Sequence, residues 1–347
     1  MTPRCRAALL LLAGTAVGLP AQHAALAGRV VSSGTSVSLG YSVVGTSPEQ
    51  REEFTDAKGQ FVLHDLPAGR IRFTAKHIGY VPFDTTLDLR ANDSLQLDVA
   101  LSLITIELPA IRTVAAGCLH PGAPNPQYGA ALANLFEQLQ ENAERNRLLA
   151  HSYPFELTIE RRITKPEPML QARFVAIDTI ERGSTRDWHY APGKLLGKRH
   201  IDEGVFSGNW TTIILPELAD FADLHFLESH CFDYAGLDEL DGDTLIRIDF
   251  VPAPTVRTPD IGGAIFLDRK TYQLRSTMVS LTNLTKDLQR RMSGQSIRAD
   301  FREVLPGVPV IDRVSSMVYP RTDVKPVDEP ATETQRTLTV RFLRGRP

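Results

Sequence analysis

His225, Glu228 and His230 come closest in the chain to a metal-binding spelling. Imidazole and carboxylate side chains bind zinc when a helix turn brings them to one face. The inverted zinc-protease helix requires His-x-x-Glu-His, and here one residue is inserted. Five residues apart on a helix, the two imidazoles would sit about 140° around the axis. The stretch therefore reads as a helix end leading into a strand, with no metal. A second candidate is the acidic group Asp238, Glu239, Asp241 and Asp243. Calcium loops place oxygen ligands at alternate positions around a central Gly, with a Glu six residues beyond it. Ile248 and Phe250 occupy the region where that Glu would fall, so a solvated hairpin turn is expected instead. Nucleophile elbows, His-Glu-x-x-His, phosphate loops and dinucleotide-binding glycine patterns are all missing from the sequence. No catalytic residue and no cofactor is expected. Trp188, His189 and Tyr190, with Trp210 after Gly208-Asn209, remain as aromatics able to stack on a sugar ring. Tryptophans in a β-rich domain are more often core, so both readings stand.

The elements that must position these residues begin with an export signal. Arg4 and Arg6 precede an apolar run from Ala7 to Val17, and small residues follow at Ala21 and at Ala25-x-Ala27. This is the layout of a cleavable secretory peptide, expected over residues 1–27, and its apolar run is too short to span a bilayer. No later segment approaches 18 apolar residues, so no transmembrane segment is expected after its removal. Lys plus Arg number 38 against 41 Asp plus Glu. That balance argues against nucleic acid or an anionic membrane surface as the main partner. Signal removal leaves Cys118 and Cys231 of the three cysteines. In an oxidising compartment they suggest one disulfide closing a 113-residue loop. Two buried thiols or an intermolecular link are the other readings.

Thr55 to Tyr80 is the most legible stretch. Asp56-Ala57-Lys58-Gly59 is a turn, with Asp able to hydrogen-bond the backbone ahead and Gly free to take a positive φ. Phe61 and Leu63 alternate with polar positions, Leu66-Pro67-Ala68-Gly69 turns again, and Ile71, Phe73 and Ala75 alternate with Arg70, Arg72 and Lys76. One apolar and one cationic face fit an antiparallel strand with one side in water. His64 and His77 are expected on solvated faces. The spacing Thr55-Asp56, Gly59, Phe61, Leu66-Pro67, Gly69 and Ile78-Gly79-Tyr80 resembles the carboxypeptidase regulatory-like domain. Gly28-Arg29-Val30 matches that family's opening strand, and Leu95, Leu97, Val99 and Leu101 its last. The resemblance runs from about 27 to 107 and implies a prealbumin-like β-sandwich over 28–107 without zinc ligands. Ser32 to Ser47 departs from the pattern, which leaves the packing of the first sheet open.

Residues 108–129 read as a Pro/Gly linker and 130–347 as a helix plus an antiparallel β-rich domain. Leu132, Leu135, Phe136, Leu139 and Ala143 make a 3.6-residue stripe over Ala130–Ser152. Glu137, Gln140, Glu141, Glu144 and Arg145 are expected on the wet face. Pro216 to Leu227 reads as a short helix. Alternating segments at Phe155–Glu160, Phe174–Ile180, Leu245–Phe250, Gly263–Asp268, Tyr272–Leu281, Ile297–Val304, Val310–Tyr319 and Thr337–Leu343 read as strands. Asp241-Gly242 reads as a hairpin turn. The fold class is mainly β: a sandwich followed by a strongly curved antiparallel sheet or half-barrel with two helices. That pattern resembles the LolA-like lipoprotein-carrier folds. The whole arrangement, with His230-Cys231-Phe232 and Gly263-x-x-x-Leu267-Asp268, resembles exported bacterial proteins named only for their carboxypeptidase regulatory-like domain, which implies no activity.

The expected role is an exported, non-catalytic binding or assembly protein of the bacterial envelope, periplasmic, attached or secreted, with carbohydrate or protein as ligand. A lipid or lipoprotein carrier is the alternative. It requires a concave apolar cavity in the second domain, covered by the Ala130–Ser152 helix. A hydrolase without a recognised motif is a third reading, requiring convergent polar groups in one cleft.

Overall fold

A computed structural model describes residues 23–48, 50–108, 117–127, 129–167, 172–184, 188–201, 208–214, 218–321 and 331–345. The expected signal segment lies outside them up to residue 22. Strand β1 already begins at His23 and runs to Ser32, five residues ahead of the expected domain start. Its buried Ala24 and Leu26 belong to the first core.

The sandwich has two sheets. In one, β1 pairs antiparallel with β4 (Gln60–Pro67) and parallel with β7 (Ser94–Leu101). The other has the order β3 (Arg51–Phe54), β2 (Val43–Ser47), β5 (Gly69–Lys76), β6 (Phe83–Leu89). Leu26, Val30, Leu63, Ile71 and Phe73 fill the space between them, and Phe61 stacks on Phe73 with ring centroids 5.5 Å apart. Each such side chain contributes about 1.5–3 kcal/mol by leaving water. Two glycines are required by geometry. A Cβ at Gly28 would lie 1.9 Å from the Leu97 carbonyl oxygen across the parallel pairing. At Gly59, φ is 73° and a Cβ would meet the Val30 carbonyl oxygen at 2.5 Å. Asp56 Oδ1 accepts from the Lys58 and Gln60 amides at 2.8 Å, closing that turn.

The second domain is a nine-stranded antiparallel sheet. Strands β12 (His230–Leu240), β13 (Asp243–Pro252), β14 (Asp260–Asp268), β15 (Leu274–Thr282), β16 (Gly294–Leu305), β17 (Val308–Tyr319) and β18 (Ala331–Phe342) follow one another as a meander. The hairpin β8 (Phe155–Glu167) and β9 (Ala172–Gly183) completes the sheet on the far side of β18. Asp241 and Gly242 both have positive φ in the β12–β13 turn, the conformation of a primed two-residue hairpin. A separate hairpin, β10 (Leu196–Ile201) and β11 (Gly208–Ile213), forms its own two-stranded sheet.

Helix α1 spans Ala130–Ser152. Leu135, Phe136, Leu139 and Ala143 pack into the core of the nine-stranded sheet, with Phe136 4.7 Å from Phe232. A second row, Gln138, Asn142 and Arg145, is also buried. Arg145 was expected in water. Instead its guanidinium donates to the carbonyl oxygens of Tyr41 at 2.6 Å and Gly307 at 2.8 Å, and lies 5.6 Å above the Phe54 ring. The reason is that α1 is wedged between sandwich and sheet, so it has two buried faces. Gln138 Oε1 accepts from the Gly79 amide, and Asn142 bonds Tyr272 and Leu274.

His77 corrects a second expectation, because the same wedge half-buries it. Its Nδ1 lies 3.1 Å from Ser42 Oγ, and burial, reinforced by the Arg145 charge, pushes the imidazole down to about 3. The unfolded chain protonates near pH 6.5 while the folded one stays neutral. The stability His77 preserves is therefore present above pH 6.5 and lost as pH falls toward 3. Glu141, raised by burial, bends the profile the other way, so the diagnostic quantity is the difference between wild type and His77→Gln. We expect wild type to lose about 2 kcal/mol more than the variant between pH 7 and 4.5, after allowance for partial exposure. Urea midpoints at the two pH values check this, and parallel losses would refute it.

Candidate functional site

The nine-stranded sheet encloses a hollow. Ile261 of β14, Val279 of β15, Ile297 and Ala299 of β16 and Val314 of β17 supply its apolar floor. Ile213 at the end of β11, Ile214 and Phe221 of the 3-10 helix Leu218–Ala222 cover it. Its volume is about 230 Å³. Arg182 of β9 and Gln335 of β18 also line it. Strands β14 and β9 stand six spacings apart in the sheet order, or about 29 Å if the sheet were flat. Both can border one such cavity only because the sheet curls strongly. The cover differs from the expectation that α1 would roof this face. α1 fills the neighbouring part of the concavity, and the β10–β11 flap and the 3-10 helix cover the rest.

Behind the cover, Tyr190, Asp260 and His230 meet, all fully buried. The Tyr190 hydroxyl donates to Asp260 Oδ2 at 2.6 Å. His230 Nδ1 lies 2.8 Å from the Phe226 carbonyl oxygen, and Nε2 is 3.2 Å from that of Ile261 and 3.4 Å from Asp260 Oδ1. Burial, then the Asp260 hydrogen bond, push the Tyr190 phenol above its ordinary range. The Phe226 ring stacks on the imidazole at 4.1 Å. Removed from solvent, the three side chains act as a brace: they tie the segment before β10 and helix α2 (Leu224–Glu228) to β14.

This placement corrects Tyr190 as a stacking residue, because its ring is buried against Phe226 and His230 and its hydroxyl bonds Asp260. Trp188 packs half-buried against the main core. Trp210 lies on β11, and its side chain is outside the described residues. His225 and Glu228 are exposed on α2 while His230 points into the core, so the three do not converge. Asp223 caps α2 through the His225 and Phe226 amides, which splits the single helix expected at Pro216–Leu227 into two short pieces. Pro216 itself is outside the described residues. Asp238 pairs with Arg247 and Asp241 with Arg298, so these carboxylates brace sheet edges. Cys118 and Cys231 are bonded, with Cα atoms 5.3 Å apart. The Gly122 amide donates to the His230 carbonyl oxygen at 3.0 Å, laying the linker along edge strand β12. The cavity itself has no sequence signal, since its lining is spread over eight elements and one connecting residue.

A second concavity lies between the sandwich and the C-terminal end of α1. Its volume is about 960 Å³, and it is lined by Gly45, Arg51, Arg72, Thr74, Arg147 and Tyr153 among others. Arg51 is paired with Glu53 and Arg72 with Asp84, which leaves a polar, pre-ordered surface.

Two β-rich units with one helix packed between them, and a disulfide fixing the linker to the second, thus define the class. Residues 25–102 match the carboxypeptidase regulatory-like domain. No curated protein matches the chain. Solved structures are similar over 61% of it. One is a domain named for outer membrane lipoprotein sorting from Vibrio parahaemolyticus (10% identity, 95% of that chain, TM-score 0.32). Another is a LolA superfamily protein from Nitrosomonas europaea (11%, 94%, 0.30). A third is a DUF1329 family protein from Desulfovibrio piger (9%, 95%, 0.28). Among the described residues no helix is long and apolar enough to cross a membrane.

Proposed function

We propose that the second domain is a non-catalytic carrier that holds a single apolar chain, such as the acyl chain of a lipid or lipidated protein, in the hollow of its curved sheet. The observation that carries this reading is the 230 Å³ cavity with an apolar floor and an apolar cover. It exceeds an engineered cavity of about 150 Å³ that stays dry and takes up benzene. The cover is a separate hairpin, an element that can part from the sheet without breaking its ladder. Removal of Tyr190, Asp260 and His230 from solvent supports a binding role over acid–base chemistry. The Cys118–Cys231 bond and the sequence features of residues 1–27 support an extracytoplasmic location.

Dodecanol is the neutral probe. One molecule is expected to bind per chain by calorimetry, and Ala299→Phe, which projects a ring from the floor, is expected to weaken it at least about tenfold with little change in Tm. Absence of saturable binding to wild type would sink the reading. The cleft on the sandwich favours a second reading, a polar ligand such as carbohydrate or a protein loop. The same variant separates the two, because a ligand held in the cleft keeps its affinity when Ala299 is enlarged.

A further inference from the structure

We infer that the ligand of this cavity is an anionic amphiphile, its carboxylate or phosphate held by Arg182 and its chain directed inward. The inference rests on the cavity reading above and adds the head group. Arg182 is the charged side chain among the described residues lining the hollow, and it is exposed on edge strand β9, lining the hollow together with Ile213 and Ile214. It therefore marks the mouth. Several other arginines of the sheet are committed: Arg161 to Asp178, Arg298 to Asp241 and Asp300, Arg302 to Asp312, Arg341 to Glu156. Among the described residues Arg182 has no such partner. Another polar liner, Gln335, spends an amide N–H on Glu333 Oε1 at 2.8 Å.

The physical chemistry of that position is selective. A free guanidinium in water costs nothing to keep charged. Once a chain fills the hollow and the flap seats on it, the local dielectric falls and the attraction for an anion rises. The planar fork of donors matches a carboxylate or a phosphate in a two-point contact. A neutral amphiphile gains only the apolar burial. A second cation would be repelled, so choline-type or amine head groups are disfavoured.

The test compares laurate, dodecyl phosphate and dodecanol by calorimetry at pH 8, on the full chain and on Arg182→Gln. Wild type is expected to bind both anions about tenfold more tightly than dodecanol. Arg182→Gln is expected to lose the preference for both anions, with Tm unchanged, because an exposed position tolerates the exchange. Inorganic phosphate is expected not to compete with laurate. Equal binding of laurate and dodecanol to wild type, or a preference that survives in Arg182→Gln, overturns the head-group assignment while leaving the cavity reading intact. Competition by inorganic phosphate overturns it too, by showing a free-anion site. Failure of every probe to bind overturns both.

Discussion

Arg145→Ala is expected to destabilise the protein by about 3–5 kcal/mol, the largest effect of any single substitution considered. Removing one member of a buried charged cluster costs this much because the groups left behind cannot rejoin water. Here three carbonyl oxygens, those of Tyr41, Gly307 and Pro306, lose their donor. Glu141 loses the nearest favourable charge, and the Phe54 ring loses its cation. Burial already outweighs attraction at this site. It pushes Arg145 down to about 10 and Glu141 up, and Arg145 Nη1 and Glu141 Oε1 are buried without hydrogen-bond partners among the described residues. The cluster is thus held under tension by packing from both domains. Urea denaturation followed separately in each domain should show one transition in wild type and two in Arg145→Ala. Arg145→Met retains most of the volume and is expected to cost less, isolating the hydrogen bonds from the cavity. A wild-type midpoint in Arg145→Ala would refute the role assigned to this residue.

Cys118→Ser/Cys231→Ser is expected to lose about 2–5 kcal/mol. The bond closes a 113-residue loop, for which the chain-entropy picture gives roughly 5 kcal/mol. The lower end applies if the unfolded chain stays compact. Removing the bond also frees the linker from β12, exposing that edge. The expected signature is a lower urea midpoint with an increased slope, since the unfolded state expands. An unchanged midpoint after reduction would show that the linker's other contacts suffice.

Much of the fold was legible, for identifiable reasons. The α1 stripe placed the helix at its observed ends, because Leu135, Phe136 and Leu139 repeat at one helical face and Gly129 precedes them. Asp56, Gly59 and Asp241-Gly242 signalled their turns through local chemistry that needs no tertiary context. Arg145 was misread because a guanidinium on a helix looks the same whether water or a carbonyl cage receives it. His77 failed for the same reason. The flap was missed because Leu196-Gly-Lys-Arg-His-Ile does not alternate. The candidate site was almost wholly illegible. Most lining residues are ordinary apolar strand positions, and only the curl of the sheet, helped by register shifts such as that between Asp300 and Phe301, brings them together. Arg182 carries no motif; its meaning comes from standing at the rim.

The position of β18 between β17 and β8 has a consequence for biogenesis. β8 leaves the ribosome early in the second domain, yet its partner β18 is made only after every other strand of the sheet: Thr164 pairs with Thr332. Until then the β8–β9 hairpin offers a naked backbone edge, with exposed Val175 and Ile177 beside it, to any neighbouring nascent chain. Loss of β18 should therefore make the chain selectively prone to aggregation, and a holdase chaperone that shields this hairpin would have its strongest claim on the protein during that interval.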